Sequence, residues 1–600
     1  MKNLIIIFLA SLFTNLGFSQ ILSEKFNLHS YSFTTQSTNV LNSVKQSQNK
    51  SFYQSKSEWQ SIIDNKWGAG IPLVDKLALF DKYVGILTNR FTGFNSLGIS
   101  WNEWNVIKTT YRSKINTNTS KGAFASLMGH LSYDLYDAHT RAQDLNVLLT
   151  PLNQGIPILM LTPYDDSHFG ATLTVLPDSS LLVLWTIENH PLGLQPGDVV
   201  VGYEGVPWKH LVDELLASEI PIGFQQRNVK SASRHNELAS AGNNWHLFET
   251  IDVIKYGSTD TTHLFLDPLR TLNVSEIFPK EQLPVPGVPF PDPTNIIQPV
   301  YYGKVEGTNI GYIYIFGENE NTDDQLYQAI LSLNETEGLI IDLRKNVGGW
   351  PLPSSGLDFL FNSFKYTLED VARCNTLDFS LCSTNNRNLW NVNGNPESWY
   401  DKPIAVLTGP NCISCGEYIA YILSYRPMVR FFGKTTCGAL GWESDNNINN
   451  IDGWLFTYSP KSAVRVSDPE ILLTYREFPV DEKIWFDKES AARREDPVAK
   501  KAIEWIKNST YVTEITASPM IRIYPNPAED KINIEINYNG DQDIGIELFS
   551  ISGQLVYRKE FQNSHGPFIK QIDISSYVKG MYLLKISQSC KLYCGKIIIL

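Results

Sequence analysis

Cysteine is scarce, with seven residues in 600. They fall as Cys374 and Cys382, then Cys412, Cys415 and Cys437, then Cys590 and Cys594. So few exclude a disulfide-built scaffold, and the odd count leaves at least one thiol without a partner in the chain. Bridges within one or two of these groups remain open. Long apolar runs are missing after the first residues: no later segment reaches the roughly 18 uninterrupted apolar positions that a spanning helix needs, so no transmembrane segment is expected in the mature protein. Basic residues are outnumbered, 50 Lys and Arg against 63 Asp and Glu, for a net charge of −13. That balance excludes a nucleic-acid binder, whose affinity comes from neutralising phosphates. No HExxH, paired-cysteine zinc site or phosphate loop occurs, so neither a metal nor a cofactor is implied.

The length suggests about three to five domains. Met-Lys-Asn followed by Leu4 to Phe13 and small residues at Gly17 and Ser19 reads as a signal peptide over 1–19. Apolar residues at helical spacing, such as Trp59-Ile62-Ile63 and Leu77-Leu79-Phe80-Tyr83-Val84-Leu87, predict a mostly helical region over 20–150. Short β-rich runs between turn signals predict a β-rich module over 155–270. Clustered prolines mark 271–300 as an extended linker. Nearly continuous apolar runs at Asn309–Ile315, Gly338–Arg344 and Pro403–Gly409 suit strands covered on both faces, so 301–512 is expected to be a layered α/β domain. Alternation returns in Lys531–Ile536 and Ile544–Phe549, which predicts a β-sandwich over 516–600.

Ser414 lies between the expected strand Pro403–Gly409 and a helix opening near Glu417. At such a turn, free backbone N–H groups and the positive helix end face whatever is bound, which is what an acyl-transfer nucleophile needs. An ordinary helix N-cap explains a serine there equally well. Gly348-Gly349, after the strand that ends in Asp342-Leu-Arg344, allow close backbone approach to a ligand or simply a tight turn. His139, one of ten histidines, sits at the end of an amphipathic helix, as a base or as a helix C-terminal cation. Cys412-x-x-Cys415 admits a redox reading, although thioredoxin-type pairs occupy their own small fold.

Taken together, Asp137-Ala-His-Thr140, Gly193-Leu-Gln-Pro-Gly-Asp198, Asp342 to Gly349, Ser414-Cys-Gly-Glu417 and Gly433-Lys-Thr-Thr-Cys-Gly438 stand in an order that resembles the tail-specific, or C-terminal-processing, serine peptidases. The resemblance implies a multidomain α/β protein with a crotonase/ClpP-like catalytic core, and the β-rich module resembles a PDZ domain. Tyr524-Pro-Asn-Pro527, Leu548 to Gln554 and Gly580 to Lys585 resemble the C-terminal sorting domains of type IX secretion.

Within that family one branch places a lysine after the "TxG" turn, where this chain has Ala439, so a Ser/Lys dyad is not expected; Lys434 falls where the pattern has a polar residue. The branch resembling the core of tricorn protease uses a histidine from "DxHT", which matches His139, and a later glutamate. Glu477 before Phe478-Pro-Val-Asp481 is the expected match, with Glu443 its competitor; Ala138 replaces that branch's serine. The resemblance thus implies Ser414 as nucleophile, His139 as base, Glu477 as support, and an oxyanion hole from the N–H of Cys415 with that of Gly348 or Gly349. It implies an exported peptidase acting on peptides or unfolded chain ends, secreted or held at the cell surface after passing the periplasm and meeting outer-membrane secretion machinery. The alternative is a catalytically inactive peptide-binding scaffold.

Overall fold

The computed structural model describes residues 68–144, 170–208, 210, 249–271, 285–291, 297–374, 378–384, 389–442, 454–508, 512–514, 521–536, 541–565, 568–588 and 591–600. The expected signal at 1–19, Glu443 and Cys590 lie outside them. Residues to Ile506 form one compact unit and Lys507–Leu600 a second.

The first unit opens with helices α1 (Leu73–Arg90), α2 (Trp101–Ser113) and α3 (Lys121–Tyr133). α1 buries Leu79, Phe80, Tyr83, Val84 and Leu87, the stripe read from the sequence. A capping box between Ser100 and Glu103 starts α2 by satisfying the first free N–H groups. These helices share their core with Trp454, Phe456 and Tyr458, residues more than 300 positions later. The link is β1 (Arg141–Asp144), which pairs antiparallel with Trp454–Thr457, Arg141 opposite Thr457. That pairing draws the loop between α3 and β1, which carries His139, to the later half of the unit.

An antiparallel sheet follows, with β2 (Ala171–Val175), β3 (Leu181–Thr186), β4 (Val199–Tyr203), β5 (Thr250–Ile254) and β6 (Thr261–Phe265) in that order. The proline-rich segment does not stand free where it is described. Val285 and Val288 pack with Tyr301, Val305 and Tyr312, because few residues in that stretch are polar enough to stay in water.

The central sheet has six strands. In spatial order they run Glu482–Lys483, Val429–Gly433, Ile404–Thr408, Gly338–Asp342, Ile310–Ile315 and Val300–Lys304. All neighbours are parallel except the hairpin formed by the last two. Ile310–Ile315, Gly338–Asp342 and Ile404–Thr408 are buried at every position, as strands covered on both faces must be. The fold is therefore mixed α/β with β-rich regions on either side in sequence. A second sheet in the same unit carries Lys365–Arg373 between Lys461–Arg465 and Leu381–Ser383, with Leu389–Val392 also paired to it. Cys374 and Cys382 form a disulfide beside it.

The second unit holds a five-stranded and a three-stranded sheet around one core of Ile532, Ile534, Ile546, Leu548, Leu584, Ile586 and Ile597. Its strands Lys531–Ile536, Asp541–Ser550 and Gly580–Gln588 place alternate residues in that core, which is the period-2 pattern of the sequence.

Candidate active site

Strand Ile404–Thr408 ends at a turn that feeds helix α4 (Cys415–Leu423), and Ser414 stands at the junction. Every residue from Pro403 to Leu423 is buried except Ser414. Its backbone has φ 53° and ψ −117°, and its side chain makes no capping hydrogen bond. An N-cap serine has extended backbone and caps, so the capping role is the one the structure overturns. A non-glycine residue held there costs about 1–3 kcal/mol and persists only where its surroundings impose it.

Those surroundings are specific. A Cβ added to Gly348 would lie 2.7 Å from the Ser414 Cβ, 3.1 Å from the Ile413 carbonyl oxygen and 3.2 Å from the Cys415 nitrogen, so only glycine lets this loop press against the serine turn. Asn346 ties the two loops together. Its carbonyl accepts the Ile413 N–H at 2.9 Å and its Oδ1 accepts the Gly348 N–H at 2.9 Å. The Gly348 N–H, one of the two alternatives expected to join Cys415 in the oxyanion hole, is therefore already engaged. The Cys415 N–H occupies the first helical position, which has no intrahelical acceptor.

Glu318, 4 % exposed, anchors the glycine loop from its other side. Its N–H donates to the Gly348 carbonyl, its carbonyl accepts the Trp350 N–H, and its Oε1 accepts Asn346 Nδ2 at 2.6 Å. Oε2 is buried as well, and the Cys415 thiol lies against the carboxyl. Burial pushes the carboxyl up to about 7, so folding holds a proton that the unfolded chain releases above its ordinary value near 4.5. The associated stability is complete below about pH 4.5 and is lost as pH rises through about 7. We expect Glu318→Gln, which keeps shape and the Asn346 contact, to match the wild type near pH 4.5 and to exceed it by on the order of 2–3 kcal/mol at pH 8. Thermal or denaturant unfolding at the two pH values measures this. An equal effect at both would mean that the carboxyl is charged and well solvated.

Glu417, in the first turn of α4 and fully buried, does a second positioning job. Its carboxylate accepts from the Thr436 hydroxyl, the Gly438 N–H at 2.8 Å and the Ala439 N–H at 2.6 Å. This pins segment 436–439 to the helix that Ser414 begins, while burial pushes Glu417 up to about 8. Ala439, at the position of the lysine in one family branch, packs with Ala138, Ile413 and Cys437 in a small buried apolar cluster. The two alanines that depart from the family pattern thus meet each other, directly behind the serine turn. Lys434 donates its ammonium to the Val175 carbonyl at 2.8 Å, and burial pushes it down to about 8.

His139 is 6 % exposed. α3 ends at Tyr133, so the imidazole stands in a loop past the helix and not at its C-terminus. Thr457 donates its hydroxyl to the His139 carbonyl at 2.7 Å, and Asp137 Oδ1 lies 3.9 Å from Nδ1. Asp137 is itself fixed by the hydroxyls of Thr140 and Ser459. A Cβ on Gly441 would come within 3.7 Å of Nδ1, so Gly441 backs the ring. Ala138, next to His139, touches the cluster that contains Ile413, next to Ser414, which is how the two sequence-distant motifs come together. Glu477 is half-buried and accepts the Thr435 hydroxyl at 2.7 Å. The carboxylate the sequence did not single out for the imidazole is Asp137. Cys412 and Cys415 are fully buried, which pushes both thiols well above their ordinary range and away from nucleophilic reactivity. Among the described residues no group of His, Cys, Asp and Glu has the makings of a metal site.

A strained serine, half-buried in an otherwise buried turn and backed by glycine backbone, has the geometry that acyl transfer by a serine hydrolase needs. Residues 309–469 match the model of peptidase family S41, and residues 522–600 match the secretion system C-terminal sorting domain. The core thus resembles peptidase family S41 over residues 309–469, and the protein is a serine-type peptidase carrying a sorting tail, which marks it for export to the exterior or cell surface. Among solved structures it is similar to mature CPAF complexed with lactacystin, at 12% identity and TM-score 0.52 over 72% of this chain and 98% of that one. It is also similar to the photosystem II D1 C-terminal processing protease, at 17% identity and TM-score 0.37 over 69% and 94%. No curated protein matches. Among the described residues no helix is long and apolar enough to cross a membrane.

Proposed function

We propose that the protein is an exported endopeptidase that cuts peptides or unfolded chain ends, with Ser414 as nucleophile and His139 as general base. The observation that carries this reading is the Ser414 backbone, strained at φ 53° and pressed by Gly348, for which a mere structural turn has no use. In the reaction Ser414 Oγ attacks the scissile carbonyl carbon while its proton passes to the imidazole. The C–N bond then breaks as the imidazolium returns that proton to the leaving amine. Water, deprotonated by the same imidazole, releases the acyl group and restores the serine. The oxyanion is received by the N–H groups of Cys415 and Gly349, since that of Gly348 is held by Asn346. Asp137 or Glu477 orients the imidazole. The sheet of β2 to β6 serves as a PDZ-like module that binds peptide ends by strand addition, over a crotonase-like core. An inactive scaffold would need that module but not the strained serine.

For the tail, we infer a C-terminal β-sandwich that presents the chain to outer-membrane secretion machinery after a signal peptide has carried it into the periplasm. Its separate core supports this, because such a unit folds and is recognised without the rest. Deleting residues 516–600 is expected to leave kcat/KM of the purified enzyme within about twofold and to trap the protein in the cell envelope of its host. Release of the truncated protein at normal levels would contradict the sorting role.

A further inference from the structure

Beside the serine turn three tryptophans meet. The ring centroids of Trp350 and Trp442 are 4.9 Å apart, and Trp390 lies 5.6 Å from each. Each is fixed by a segment that also frames Ser414. Trp350 directly follows Gly348-Gly349 and is held through its N–H by Glu318. Trp442 follows Gly441, the residue behind His139. Trp390 packs at a tilt, 5.2 Å between ring centres, on Tyr418, four residues and one helical turn after Ser414, and its indole donates to Asp370 at 2.9 Å. Trp390 and Trp442 are half-buried, yet Trp350 is 45 % exposed. A tryptophan left so bare on top of an aromatic cluster costs hydration free energy that a ligand would recover.

We propose that these three rings form the subsite that receives a bulky apolar side chain, aromatic or long aliphatic, of the peptide next to the scissile bond. The proposal rests on the peptidase reading above and names the substrate class of that same site. The chemistry selects the occupant. Indole faces and edges offer large, weakly hydrated surface and favour tilted ring contacts, which an aromatic or leucine side chain matches and a small or hydrated one does not. Lys461 covers Trp442 with its ammonium 4.9 Å from the ring centre, so the rim is cationic and a lysine or arginine side chain is repelled from it. Position adds to this: a subsite whose first ring is continuous with the oxyanion loop senses the residue beside the bond being cut.

The test is a set of peptides that differ at one position at a time through Phe, Leu, Ala, Asp and Lys, with cleavage sites located by mass spectrometry. At one position flanking the cut bond, Phe or Leu is expected to raise kcat/KM over Ala about 10- to 100-fold, the span that apolar pocket contacts supply. Trp350→Ala should collapse that ratio to within about threefold, and Trp350→Phe should restore most of it. Binding of the same peptides to the Ser414→Ala variant, read by tryptophan fluorescence, should follow the same order without turnover. A flat profile in the wild type, a preference for Asp, or a ratio unchanged in Trp350→Ala would each overturn the subsite. Covalent labelling of wild-type Ser414 decides the peptidase reading separately: a labelled enzyme with a flat profile loses the subsite alone.

Discussion

Ser414→Ala should reduce peptide hydrolysis by about 10⁴-fold or more while leaving the folded unit as stable as before. The loss follows from chemistry, since neither flanking residue nor either nearby thiol can take over. Ile413 and Cys415 on either side are buried, and the thiols of Cys412 and Cys415 are pushed well above the range in which a thiolate forms. The unchanged stability follows from geometry. The serine side chain caps nothing, and alanine inherits the same φ of 53° with the same strain. Unfolding midpoints should agree within roughly 0.5 kcal/mol. Cys415→Ala is the matched control. It removes a buried thiol that touches Glu318 but keeps the backbone N–H, so activity should stay within about tenfold of the wild type. If Cys415→Ala abolished turnover in a folded protein while Ser414→Ala did not, the nucleophile would be the thiol.

His139→Gln should cost nearly as much, about 10³- to 10⁶-fold in kcat, because residues that act as one unit fail together. Glutamine fills much of the buried space and leaves the carbonyl that accepts from Thr457, so the loop between α3 and β1 keeps its anchor. The diagnostic is the pH profile. With a histidine base, wild-type kcat/KM rises as the imidazole loses its proton, and that limb must vanish in the variant along with the rate. A variant that lost activity but kept the limb would assign His139 a packing role and place the base elsewhere. Combining the two substitutions should add little to either alone.

How much of this was legible beforehand depends on how local the physics is. Strands covered on both faces carry their burial in consecutive residues, so Ile310–Ile315, Gly338–Asp342 and Ile404–Thr408 lie within the runs read from the sequence. The serine turn is local too, and the motif order carries the resemblance to the tail-specific serine peptidases. The residues that hold the turn are not local. Glu318 reaches Asn346 and Gly348 only because it forms a bridge with Gly349, some thirty positions on, and nothing in its own neighbourhood marks it as buried. Asn346 looks like any loop asparagine until its two ends are seen on Gly348 and Glu318. His139 looked like the end of a helix because the apolar spacing continues past Tyr133, where the structure turns into a loop fixed by Thr457 and Ser459. The family pattern points to Glu477, which accepts the Thr435 hydroxyl, whereas Asp137, two positions from the histidine and 3.9 Å from its Nδ1, carries no such motif signal. The tryptophans at 350, 390 and 442 become a wall only after the two sheets and α4 assemble.

The central claim is that Ser414 is a nucleophile activated by His139. Its most direct measurement is reaction of the purified full chain with a serine-directed fluorophosphonate, followed by peptide mapping. The account predicts a single adduct on the peptide containing Ser414, formed at a rate that falls at least about 100-fold in His139→Gln. Peptide cleavage by a protein that takes up no label at Ser414, or labelling that proceeds equally fast without the imidazole, would contradict it.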